Sequence, residues 1–217
     1  MKISRDFIFD SSLVLYLPLW KLDGASFMSR DHYGHICTVT GAIRCLNSWF
    51  LDGIDDKFLI PHCSILNITS DITFEAWVKR DPAQADVSGV IVCKSWTYDF
   101  KVDNDGTLTL AYYNGATWVL LAAAGVVPPN EWTHIARTRA IVGGNTSNIL
   151  LVNRNPIASG TLTGLPASTT NNVELGRHPG AAVEDYRGLI GEACVYCRRK
   201  SPLEIQHNYL ATKWRHQ

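Results

Sequence analysis

Trp96, Tyr98, Asp99, Tyr113 and Trp118 stand at segment ends or beside turns, in CKSWTYDF (93–100), AYYNG (111–115) and GATWVLL (115–121). Sugars are held by aromatic rings that stack on their apolar faces and by polar groups that orient their hydroxyls. These five residues are therefore the candidate binding residues for a glycan or another cell-surface ligand. Seven tryptophans are available in all; Trp20, Trp77 and Trp132 lie inside apolar segments and are read as core. If 98–102 is a strand, Asp99 and Lys101 share one face, and Tyr98 and Phe100 the other.

Three acidic turns could offer oxygens to a cation: SRDHYGH (29–35), LDGIDDKFLIP (51–61) and VDNDGTL (102–108). In the last, Asp103, Asp105 and Gly106 fall on the third, fifth and sixth places of an EF-hand loop. The first place would then be Lys101 and the twelfth Tyr112, so the leading aspartate and the bidentate glutamate are missing. A hairpin turn with a left-handed residue explains Asn104, Asp105 and Gly106 better. Asp31, Asp52 and Asp55 remain as candidate metal ligands. Turn chemistry also selects Asp and Gly, so the spacing leaves both readings open: no cofactor is required, and Ca2+ is allowed.

Catalytic signatures are missing. The chain has no G-x-S-x-G, no H-E-x-x-H and no glycine loop to cradle phosphate. His134 in WTHIART shares a strand face with Trp132 and Ala136 and is read as a satisfied core histidine. Glu184 and Asp185 are adjacent acids in a loop before the last strand, read as a solvated turn. The protein is expected not to be an enzyme.

These residues need a scaffold, and punctuation describes it. Segments with period two recur at 13–19, 57–61, 72–79, 89–94, 98–102, 107–113, 118–123, 132–138, 148–152, 172–176 and 188–196. They are rich in β-branched and aromatic residues and are separated by Gly, Pro, Asn or Asp. In ITFEAWVK, Phe74, Ala76 and Val78 point one way and Thr73, Glu75, Trp77 and Lys79 the other. That pattern predicts an all-β, two-sheet antiparallel sandwich. Only SPLEIQHNY departs from it. There Ser201 as N-cap, Pro202 at N1 and Glu204 at N3 form a capping box, which predicts a short helix over 201–210. VGGNTSN (142–148) reads as a hairpin loop.

With 217 residues, 46% of them hydrophobic, the chain can build one core, and 1–217 is taken as a single domain with an N-terminal arm at 1–12. Twenty basic residues balance twenty acidic ones, so no global field points to nucleic acid. No apolar run approaches the roughly 20 residues that span a bilayer, and membrane insertion is not expected. Arg5, Asp6 and Asp10 interrupt the N-terminal segment, and no small-residue cleavage site follows; it is not read as a signal peptide. Six cysteines allow 15 pairings. Cys194 and Cys197 lie in a strand rather than in a strand-to-helix turn, and all six are expected to stay reduced.

LVLYLPL, then Asp31 to His35 as D-x-x-G-H, LDGIDDKFLIP, FEAWVK, WTHIA and GLIGEACVYCRRKSPLEIQHNY follow one another over most of the chain. In order and spacing they resemble the laminin-G-like, concanavalin-A-like lectin/glucanase superfamily. The resemblance implies a jelly roll with a concave face and makes LDGIDDKFLIP a turn of the family, with metal binding optional. Two positions depart from the pattern. Arg154 replaces the usual hairpin glycine, so the turn must differ or Asn153 and Asn155 must take the left-handed conformation. Gly191 replaces an aspartate, which weakens any calcium site there. The E-x-D-x-x-E strand of the superfamily's glucanases is missing.

Two functions fit. One is a glycan-binding or adhesive module at an extracellular surface. The other is a structural virion component, a capsid decoration, fibre or tail-associated domain, in a homo-oligomer or virion assembly. The second reading rests on a domain of this type that opens on its own methionine without an export signal.

Overall fold

The computed structural model describes residues 10–180 and 184–216. Eight strands make up the first part of the chain: β1 (Leu13–Leu17), β2 (Ser26–Met28), β3 (Ile36–Thr40), β4 (Ile43–Cys45), β5 (Ser48–Asp52), β6 (Lys57–Ile60), β7 (Ile72–Arg80) and β8 (Ser88–Lys94). Eight more follow: β9 (Tyr98–Asp103), β10 (Leu108–Tyr113), β11 (Trp118–Ala123), β12 (Trp132–Val142), β13 (Asn145–Val152), β14 (Asn155–Leu162), β15 (Val173–Leu175) and β16 (Arg187–Tyr196). They form two antiparallel sheets. The first runs β14-β13-β12-β7-β16-β5-β4, with β1 also paired to β16; the second runs β11-β10-β9-β8-β15-β6-β3-β2. This is the expected two-sheet sandwich.

The core lies between the sheets and follows the alternation. Phe74, Ala76 and Val78 of β7 meet Tyr98, Phe100 and Val102 of β9 and Leu108 and Leu110 of β10. The odd-numbered residues of β9 must then face outward from the second sheet. Arg137 breaks the apolar pattern: it is fully buried between the sheets, stacks its guanidinium 4.6 Å from the Phe74 ring, and donates through Nη1 to the carbonyls of Asp99 (3.1 Å) and Ala111 (3.4 Å). A buried guanidinium stays protonated and needs such acceptors.

The C-terminal helix α1 (Pro202–Thr212) has the expected capping box between Ser201 and Glu204. It runs two residues past the predicted end and covers the outer face of the first sheet, with Ile205 packed on Ala136 and Leu151. Asn208 donates to Glu75 at 2.7 Å and Trp77 to Thr212 at 2.8 Å. Most of the arm predicted at 1–12 lies outside the described residues; its end is held by an ion pair between Asp10 and Arg198 (2.7 Å).

Two hairpins refine the sequence reading. VGGNTSN is the expected hairpin, with its turn confined to Gly143–Gly144, both with positive φ (57° and 79°), between strands that extend to Val142 and from Asn145. In the next hairpin the left-handed residues are Asn153 (φ 46°) and Arg154 (φ 75°), not Asn155. All six cysteines carry free thiols. Among the described residues no helix is long and apolar enough to cross a membrane.

Candidate ligand groove

The outer face of the second sheet has no helix over it in the described chain, and it holds a groove of about 560 Å³. Its floor is built by period two from three consecutive strands: Asp99 and Lys101 of β9, Thr109 and Ala111 of β10, and Leu120 and Ala122 of β11. Its walls come from Trp96 and Trp118 at one end and from His178, Gly180 and Glu184 along one side.

The aromatic end is held by two turns. Tyr113 and Trp118 are the last cross-strand pair of β10 and β11. The loop between them is closed by Asn114, whose Oδ1 accepts from the amides of Ala116 (3.0 Å) and Thr117 (2.9 Å). Trp96 sits in the β8–β9 turn with φ 63° and half of its surface (51%) exposed. A left-handed backbone costs a bulky L-residue about 1–2 kcal/mol, and it persists only where the surroundings impose it. Here Thr97 donates to Lys94 (2.8 Å), and Asn171 (2.9 Å) and Thr169 (3.2 Å) both donate to the Ser95 carbonyl. The turn therefore presents the indole instead of burying it. Trp96 meets Tyr113 edge-on with centroids 4.9 Å apart, and Trp118 lies 6.2 Å from Trp96 and 5.9 Å from Tyr113.

The polar end is a network around Lys101. Its Nζ lies 2.6 Å from Glu184 Oε1 and 3.6 Å from Asp99 Oδ2. Burial pulls the Lys101 pKa down, but the carboxylates of Asp99 and Glu184 outweigh it and hold the ammonium above its ordinary value. Burial pushes Asp99 up to about 7, against the pull of Lys101. His178 accepts from the Gly180 amide at Nδ1 (3.1 Å), which leaves a proton for Nε2, 3.9 Å from Asp99. Burial lowers its pKa as well, so the ring is neutral near pH 7. The floor thus offers donors and acceptors side by side, an arrangement that matches hydroxyl groups.

Of the predicted binding residues, Trp96, Asp99, Tyr113 and Trp118 come together here, Tyr113 through its packing on the two tryptophans. Tyr98 does not. It is fully buried on the core side, where its hydroxyl donates to Leu66 (3.1 Å); the alternation that brings Asp99 outward turns Tyr98 inward. Glu184 is a groove residue and not the solvated turn expected from its acidic pair. His178 was missed, since nothing in GRHPG (176–180) announces that this segment crosses the sheet.

Asp99, His178 and Glu184 have ligand atoms within 4.8 Å of one another, yet Lys101 already supplies the positive charge among them. Asp52, Asp55 and Asp56 form a second close group at the predicted LDGIDD turn. Asp56 accepts from the Asp52 amide (2.8 Å) and Asp52 from the Ile54 amide (2.9 Å), so turn geometry accounts for both. Asp31 belongs to neither group, which corrects the predicted trio. Its carboxylate is engaged by the amides of Tyr16 (2.9 Å), Tyr33 (2.8 Å) and Gly34 (3.2 Å).

Two sheets, a helix on one outer face and a groove on the other are the features that comparison can place. Residues 52–206 match the Laminin_G_3 family, described as the Concanavalin A-like lectin/glucanases superfamily, and the chain belongs to it. No curated protein matches the sequence significantly. Among solved structures, a Trypanosoma rangeli sialidase in complex with sialic acid shares 16% identity at a TM-score of 0.70, over 96% of this chain and 34% of that one. The receptor-binding domain of botulinum neurotoxin mosaic serotype C/D shares 14% at 0.72, over 91% and 50%. The binding domain of botulinum neurotoxin DC in complex with rat synaptotagmin II shares 12% at 0.70, over 94% and 52%. The chain spans about a third to a half of these proteins, and at such identities the likeness is one of fold.

Proposed function

We propose that the protein is a non-catalytic recognition module that binds a glycan of an extracellular or virion surface in the groove of the second sheet. The observation that carries this reading is Trp96, held exposed in a left-handed turn by three hydrogen bonds and packed with Tyr113 and Trp118 above a polar floor. Aromatic rings of this kind are stacking platforms, and the Asp99–Lys101–Glu184 network can orient hydroxyls beneath them. The fold is compatible with the proposal but does not choose the ligand. The neighbours described with sialic acid or synaptotagmin II make glycans and protein receptors the two partner classes to test.

The non-catalytic part is supported by the carboxylates themselves. Glycoside hydrolysis needs one carboxyl as acid and another free to act as nucleophile or base. Here Asp99 and Glu184 share one ammonium, with Glu184 bonded to it directly. The test is a glycan array, followed by titration of the best ligand and an assay for released reducing ends. Binding should weaken about tenfold to a hundredfold on Trp118→Ala, the cost of losing a central aromatic anchor, and no cleavage should be detected. A folded protein that retains no glycan would overturn the reading.

A further inference from the structure

We infer that the groove selects uncharged glycans and turns away sialylated, uronic and sulfated ones. The inference rests on the recognition reading above and concerns the charge of the ligand. Holding a carboxylate or sulfate takes a cation that is free to donate. Among the described residues that line the groove the cationic side chain is Lys101, and Glu184 and Asp99 already occupy it. His178 beside it is neutral. Arg137 lies beneath β9 and spends its Nη1 on the main-chain carbonyls of Asp99 and Ala111, on the core side of the sheet.

Acceptors, by contrast, are in surplus. Asp99 is only 2% exposed and faces the groove, and its Oδ1 has no hydrogen-bond partner. A buried acceptor left unpaired is costly, so the floor has no room for a further negative group. Asp103 and Glu184 add carboxylates to the same lining. An anionic sugar brought here would meet the negative charge of Glu184 and Asp103, and of Asp99 in its ionised fraction, where water is partly excluded, and repulsion there is several times stronger than in bulk solvent.

The groove continues past Trp96 and Gly180 into a second recess of about 310 Å³, lined by Ser95, Asn171, Asn172 and Glu174. No lysine or arginine is among its described lining residues. The two recesses share the Trp96 indole, so a chain of linked sugars that crosses the ring would find amides and carboxylates on both sides of it.

The experiment prints each neutral oligosaccharide beside its own sialylated or sulfated derivative, so that paired probes differ in charge alone. The 217-residue chain is then titrated with the best pair at two salt concentrations. The neutral member should bind at least about tenfold more tightly, with little response to salt, as expected for uncharged ligands. Asp99→Asn and Glu184→Gln, both close to isosteric, should weaken the neutral ligand and narrow the gap within the pair. Should a variant fail to fold, the wild-type salt dependence still decides: an anionic member that gains on the neutral one as salt rises supports repulsion. Preference for the anionic member, or a ratio unmoved by both salt and substitution, would overturn the inference and leave the recognition module standing. Retention of no glycan of either charge would overturn both.

Discussion

The two outer faces of the sandwich carry nearly the same chemistry and meet opposite fates. On the first sheet, Glu75, His134, Trp77 and Glu192 lie under α1 and the segment after it, with Arg215 donating to Glu192 at 2.7 Å and Trp77 stacked on Tyr209 (5.5 Å) and His216 (4.9 Å). On the second, Asp99, His178, Lys101 and Trp118 form a comparable set with no helix above it among the described residues. A carboxylate–histidine–tryptophan cluster is therefore no sign of a site by itself. What separates the two is whether the chain supplies its own partner. Asn208, Thr212 and Arg215 reach down from the C-terminal segment and cover one cluster, sealing even its unpaired atoms, Glu75 Oε2 and His134 Nδ1, from solvent. The other lines an open groove, with an exposed indole for a ligand.

The largest test of this contrast substitutes one tryptophan on each face. Trp77 is buried against Tyr209, His216 and His134, and its indole nitrogen is bonded to Thr212. Trp77→Ala should cost about 3–5 kcal/mol of stability and lower the melting temperature by on the order of 10 °C for a domain of this size. Trp118→Ala should leave melting within a few degrees of wild type while it removes ligand affinity. Thermal denaturation and titration of both variants provide the check. Equal losses of stability would mean that the groove tryptophan is a packing residue after all.

A smaller effect separates the clusters by charge. Glu192 is buried, and burial raises its pKa from the ordinary carboxylate value to about 7 against the pull of Arg215. Between pH 4.5 and 7 the folded state then binds more protons at this site than the unfolded state. Stability therefore falls as pH rises through that window, by no more than about 1.4 kcal/mol per pH unit for one group. Asp99, also near 7, adds a slope of the same sign that starts lower, from about pH 4. It is surrounded by Lys101, His178 and Glu184 on the groove side and by Arg137 beneath. Glu192→Gln should flatten the stability profile without touching affinity, whereas Asp99→Asn should alter both. Urea denaturation from pH 4.5 to 8 reads the first, and ligand titration over the same range the second. A Glu192→Gln variant that binds less well would show that the faces are coupled through the core.

Alternation made most of this legible. Strands buried on one face or both, such as β7, β9 and β16, are readable from period two; β11, only half-buried, is readable to the residue because its apolar run is bounded by turn residues. Exposed strands are not. β2, β4 and β14 have no fully buried residue, and Pro156 interrupts β14; without a buried face there is little pattern to read. The groove was half legible for the same reason. Asp99 and Lys101 share a strand face by arithmetic, and the same arithmetic should have excluded Tyr98. His178 and Glu184 arrive from a segment about eighty residues downstream, and their meeting with Lys101 is a product of topology that no local spacing encodes. The arginines of WTHIART illustrate the limit from the other side: Arg137 and Arg139 are fully buried, and the hydrogen bonds they make go to backbone carbonyls, which sequence cannot display, while Nε and Nη2 of Arg137 and Nη1 of Arg139 have none.

The smallest test returns to two strained residues, one on each half of the contrast. Arg154 and Trp96 both hold positive φ, 75° and 63°, where a side chain costs about 1–2 kcal/mol relative to glycine. Arg154 ends the β13–β14 hairpin and places its guanidinium 5.9 Å from the Tyr209 ring of α1, a contact worth about 0.5–1 kcal/mol at an exposed site. Arg154→Gly relieves the backbone and loses that contact, so a net gain of about 0.5 kcal/mol is expected, visible as a rise of one or two degrees in melting temperature. Trp96→Gly relieves the same strain and loses only packing against Tyr113 and Trp118 at the surface, so its stability should change little. Its affinity should fall about tenfold or more, because the platform has gone. If strain at Trp96 exists to present the ring, the two substitutions diverge in binding while they agree in sign or nearly so in stability. A Trp96→Gly protein that binds like wild type would mean that the strained turn serves only to connect β8 to β9.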